Sequence, residues 1–118
     1  MPLTDPPPRH RYRELQQEEC RRLFVQTRVG RLILNRSNGP VVVVPVVYRA
    51  YDDVAAIDRA LSVFERTIEP SCLLQCDGLL PQTGELWSLC AQGRLAQVEG
   101  SLLFTCSDFS GWAEPPAP

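Results

Sequence analysis

The chain has 118 residues, 44% of them hydrophobic, and a formal net charge of −2. That length suits one domain around one core, and the near-balanced charge argues against nucleic acid, whose phosphate backbone usually needs a clustered basic surface. No apolar run reaches the roughly 20 residues that cross a bilayer, so no membrane span is expected and the expected location is cytoplasmic.

In chain order, residues 1–13 read as a disordered arm, because Pro2, Pro6, Pro7 and Pro8 deny it regular hydrogen bonding. The arm has no apolar centre and so is not expected to be a secretory signal. Arg9, Arg11 and Arg13 make it basic, either as a solvated tail or as a contact for a protein partner. Residues 14–112 are expected to form the single domain, and 113–118 a flexible tail. Glu14 to Thr27 carries Cys20, Leu23, Phe24 and Thr27 at helical spacing, with Glu14, Glu18 and Glu19 favouring the positive end of the helix dipole.

Val29–Leu34 then reads as a strand, Asn35–Pro40 as a turn, and Val41–Tyr48 as a second strand with apolar residues on both faces. Pro45 cannot donate to a ladder, so that strand must be open, bulged or split near it. Val54–Asp58 is a short third strand, and Arg59–Ile68 has a helical pattern ended by Pro70. Cys72–Asp77 and Leu86–Val98 are further strands, the second expected to bulge or bend at Gly93. Gly100 turns the chain into a last strand, Leu102–Cys106. Local antiparallel connections dominate, so the expected fold is mainly β: a six-strand antiparallel barrel with an N-terminal helix and a short helix after the third strand.

Composition removes several chemistries. All 12 basic residues are arginine, which excludes Schiff-base lysines and phosphate loops ending in Gly-Lys. His10 is the single histidine and sits in the arm, so histidine triads and multi-histidine metal sites are excluded. Cys20, Cys72, Cys76, Cys90 and Cys106 form no C-x-x-C pair and are expected to be reduced and largely packed in the core, with no metal. Asp77 and Glu85 flank a loop and read as solvated charges rather than as a catalytic pair.

Several motifs occur together in order: Val29-Gly30-Arg31-Leu32, then Val43-Val44-Pro45-Val46 and Tyr48, then Cys72-Leu73-Leu74-Gln75-Cys76-Asp77, then Leu86-Trp87-Ser88-Leu89 and Gly93-Arg94. From about Tyr12 to Glu99 the sequence resembles the pyridoxamine 5′-phosphate oxidase-like proteins, which are FMN-binding split β-barrels. The resemblance implies a homodimer with FMN in the interface groove, and redox chemistry on a small molecule with a nicotinamide donor or deazaflavin partner. It points to Val44, Pro45, Tyr48 and Trp87 beside the flavin, and to Arg59 and Ser62 at its phosphate. It names no catalytic residue.

The phosphate segment departs from the family pattern. Where related sequences read approximately Phe-Arg-Thr-Ala-Pro-Gly-x-Lys, this chain reads Ile57-Asp58-Arg59-Ala60-Leu61-Ser62-Val63-Phe64-Glu65. A phosphate dianion needs donors and positive charge, and Asp58 and Glu65 supply the opposite sign. Three readings stay open: an FMN-dependent oxidoreductase; a flavin-free descendant using the same groove as a cofactor-independent enzyme or small-molecule binding protein; and a non-catalytic interaction domain. Arg59 could equally sit in a surface ion pair with Asp58 or Glu65, and Tyr48 and Trp87 could be ordinary core packing.

Overall fold

A computed structural model describes residues 11–35, 39–60 and 71–117, with the side chains of 59 and 60 excepted. Seven strands and one helix follow in order: β1 (Arg13–Glu14), α1 (Gln17–Gln26), β2 (Val29–Leu34), β3 (Val42–Tyr51), β4 (Val54–Ala60), β5 (Ser71–Leu79), β6 (Leu86–Val98) and β7 (Ser101–Glu114). Every pairing is antiparallel, and the order β7-β4-β3-β2-β5-β6 closes on itself through β6–β7. The result is the expected closed six-strand barrel, with the two-residue β1 added against β7.

Period-two alternation explains the closure. Leu32 and Leu34, Val44, Val46 and Tyr48, Leu74 and Cys76, Leu89 and Ala91, and Phe104 and Phe109 all point inward and are buried. Helix α1 packs across the barrel with Cys20, Leu23 and Phe24. The Phe24 ring stacks on Tyr48 at 5.3 Å and meets Phe109 edge-on at 5.4 Å. The Tyr48 hydroxyl donates to the Phe24 carbonyl at 3.0 Å, satisfying a group the last turn of a helix leaves unpaired. Arg21 ties the same helix to the β3–β4 turn through Asp53 at 2.9 Å.

Several boundaries differ from the sequence reading. The helix starts at Gln17, because Glu14 pairs with Trp112 as a strand and the Leu15 amide donates to the Gly111 carbonyl. Strand β7 runs on to Glu114, eight residues beyond Cys106, and Ala113 is fully buried opposite Trp87. Among the described residues, strand pairing runs from Arg13 to Glu114. The second strand is not buried on both faces: Val43 and Pro45 are exposed, and only its inner set meets the core. Pairing with β4 starts at Val46, just after Pro45, and a register shift follows between Val47 and Tyr48. Residues 59 and 60 continue β4, and the rest of the helix expected from Arg59 to Ile68 lies outside the described residues.

The irregularity expected at Gly93 is present as a register shift between Gln92 and Gly93. A Cβ at Gly93 would stand 2.2 Å from the Thr105 carbonyl oxygen, so no larger residue fits there.

Candidate functional site

The outer wall of the barrel carries chemistry that the interior does not need. Arg31, Gln75, Asp77 and Ser88 alternate with buried neighbours and so project outward together. The register sets Arg31 opposite Pro45 on one side and Gln75 on the other. It sets Asp77 opposite Ser88, and Ser88 opposite Trp112.

Hydrogen bonds link this row. Gln75 Nε2 donates to Ser88 Oγ at 3.0 Å and to Asp77 Oδ2 at 3.1 Å, and Arg31 Nη1 donates to Gln75 Oε1 and, at 3.3 Å, to Asp77 Oδ2. The Gln75 amide, and then Arg31, hold the Asp77 carboxyl below its ordinary range, so it stays ionised at neutral pH. The row separates two grooves. One, of about 370 Å³, is lined by Val29, Gly30, Arg31, Pro45, Cys76 and Asp77. The other, of about 520 Å³, is lined chiefly by Tyr12, Leu86, Trp87, Ser88 and Trp112, with Tyr12 and Trp112 edge-to-face at 5.3 Å.

The residues singled out in the sequence fall into three groups. Pro45 lines the first groove, and Trp87 the second with its ring largely covered. Val44 and Tyr48 face the barrel interior at 1% and 0% exposure, so neither ring nor methyl groups reach a ligand on the wall. Burial pushes the Tyr48 phenol up, and its hydroxyl is engaged with Phe24 and with Cys76 Sγ at 3.6 Å. Arg59 pairs through its backbone with Val47, while its side chain and all of Ser62 lie outside what is described. Asp58 is held by Arg49 through two hydrogen bonds of 2.9 and 3.1 Å, so an arginine compensates its charge.

All five cysteines are free thiols, and four are buried. Burial pushes Cys72, Cys76 and Cys106 up to about 11, which leaves little thiolate at neutral pH and no nucleophile among them. Among the described residues no cluster of histidine, cysteine or carboxylate groups could hold a metal, and no helix is long and apolar enough to cross a membrane.

Arg31 and Ser88 enter the sequence reading only inside motifs, and Tyr12 only where the resemblance begins; none is read there as a site residue. Arg31 meets Gln75 across 44 residues of chain and Asp77 across 46, through the β2–β5 pairing, and nothing in local sequence announces that neighbourhood.

No protein-family model matches the sequence, and neither does any curated protein. Solved structures do. An FAD-binding protein from Mesorhizobium loti superposes with a TM-score of 0.77 at 18% identity, over 86% of this chain and 97% of that one. A candidate pyridoxamine 5′-phosphate oxidase from Corynebacterium glutamicum gives 0.75 at 13% identity, over 91% and 96%. The FAD-binding protein from Mycobacterium smegmatis gives 0.66 at 17%, over 86% and 97%. At these identities the shared property is the fold, the split β-barrel that the sequence motifs suggested.

Proposed function

We propose that this chain is a flavin-binding split-barrel protein that works as a homodimer and carries out oxidoreductase chemistry on a small molecule. The observation that carries the reading is the wall formed by β2 and β3. Val29, Val41 and Val43 are 63%, 54% and 52% exposed, although residues of their kind are normally buried. A second copy and a flat heterocycle would cover them.

The donor set beside that surface fits the ring of a flavin. The ring needs an apolar face, which Pro45 and Val29 offer, and hydrogen-bond donors for its polar edge, which Arg31 offers. Arg59 and Ser62 are proposed at the phosphate, and the Arg49–Asp58 pair removes part of the electrostatic objection to an anion there. Trp87 would border the far groove. When bound, the flavin supplies hydride and electron transfer, and the protein's task is to orient it and exclude water. The fold shared with two FAD-binding proteins supports the reading by analogy.

A flavin-free use of the same groove is the second reading, favoured by Ala60 standing where the family pattern has threonine. The purified protein's visible absorption, titration with FMN and FAD, and sedimentation would decide. Saturable binding at micromolar flavin together with a dimeric mass is expected. A colourless protein that takes up no flavin at that concentration removes the first reading.

A further inference from the structure

The Gly93 irregularity builds a second hollow on the outer wall, at the opposite end of β5 from Asp77. Gln92 pairs with Asp108 and Gly93 with Cys106, so Ser107 is the extra residue of a bulge and has no partner across the ladder. Bulges re-aim side chains and are over-represented beside functional sites. Here the bulge, the start of β5 and the end of β2 enclose about 520 Å³, lined by Asn35, Ser71, Gln92, Arg94 and Ser107 over a floor that includes Cys72 and Leu73.

Arg94 is the one cation in the lining of this hollow among the described residues. Arg94 Nη1 donates to Ser71 Oγ at 3.3 Å, which fixes the guanidinium and leaves the serine proton free to point elsewhere. Among the described residues Arg94, like Arg11, Arg22 and Arg28, makes no ion pair, whereas Arg13, Arg21, Arg31 and Arg49 each hold a carboxylate. The amides of Asn35, just after β2, and Gln92, on β6, add groups able to donate or accept. Ser107 has its own proton committed to the Gln92 carbonyl at 3.0 Å and so accepts rather than donates. Among the described residues no carboxylate lines the hollow, and Asp108, next in sequence to Ser107, is not part of its lining.

We propose that this hollow binds the phosphate group of a small phosphorylated molecule, at a site separate from the flavin groove. A guanidinium with donors arriving from several strands suits a tetrahedral oxyanion better than a flat carboxylate, which a single fork would satisfy. The volume leaves room for a small organic body beyond the phosphate. Ser71 and Asp77 are six positions apart along β5, about 20 Å at strand spacing.

The full chain is titrated with inorganic phosphate and, separately, with acetate, by calorimetry and by ³¹P line width. Saturable phosphate binding near about 1 mM is expected, with acetate at least tenfold weaker by the same principle of tetrahedral fit. Arg94→Gln should weaken phosphate about tenfold or more, Arg94→Lys less, and Asn35→Ala and Ser71→Ala by a few-fold each. Arg94 is exposed, so an unchanged melting curve will show that its variants fold. FMN affinity should be the same in Arg94→Gln as in the parent chain. A protein that binds phosphate but no flavin supports the hollow while removing the flavin reading. The proposal is overturned by absence of saturable phosphate binding, by equal binding in Arg94→Gln, by acetate binding as tightly, or by a parallel loss of FMN affinity, which would make the hollow part of the flavin site.

Discussion

The two faces of β3 carry the same kind of residue and do different work. Inward, Val44, Val46 and Tyr48 are buried at 1%, 2% and 0% exposure, and outward, Val43 is 52% exposed and Pro45 stands beside a groove. Hydrophobicity alone does not separate them, but the barrel's closure does, because it gives one face a core and leaves the other facing outward. An apolar residue that stability does not require points to a surface that meets a partner or ligand.

Tyr48→Ala should break the inner face most. It empties the space beside Phe24 and removes the hydroxyl from the helix carbonyl, so a loss of about 3–5 kcal/mol is expected in urea unfolding, the range for large aromatic truncations. A loss below about 1 kcal/mol would mean that the ring is not the core's centrepiece. Gly93→Ala tests the wall's geometry: relieving the 2.2 Å approach to the Thr105 carbonyl should cost about 1–3 kcal/mol.

The comparison sharpens with a matched pair. Val44→Ala should cost about 2 kcal/mol, while Val43→Ser should change the stability of one subunit by less than about 0.5 kcal/mol and, if the proposed homodimer forms through this wall, shift sedimentation toward monomer. If both variants lose stability equally, the two faces are not distinct.

Asp77→Asn has a small effect with a defined pH signature. The folded carboxyl titrates below its unfolded value of about 4, so its contribution is present above that pH and fades as pH falls through the folded value. The group is half-exposed, so the contribution at neutral pH should be at most about 1 kcal/mol. The urea midpoints of the variant and the parent should therefore converge in acid and separate as pH rises.

The inner wall was legible in the sequence because alternation has a fixed period: Leu86–Val98 has the bounds read from its pattern, and Gly93 marked its irregularity. Strand β7 was read short because Ser107, Asp108, Ser110 and Gly111 look like loop residues, and the pairing of that stretch with β6 is set by tertiary register. The candidate site was legible only in part. Pro45 and Trp87 carried a local signal, but Tyr48 was assigned to a ligand on resemblance while its place inside the barrel depends on Phe24, 24 residues away. The Arg31–Gln75–Asp77 row exists only once β2 and β5 have met.

The role of β7 in closing the barrel has a consequence for how the protein is made. β7 pairs with β4, β6 and β1, and it is the last of the described strands to be synthesised. Without it the edges of β4 and β6 have no partner, and a chain that lacks residues from Ser101 onward carries two open strand edges of the kind that recruit other chains. A chain cut before Ser101 should therefore be recovered in aggregates rather than in the soluble fraction.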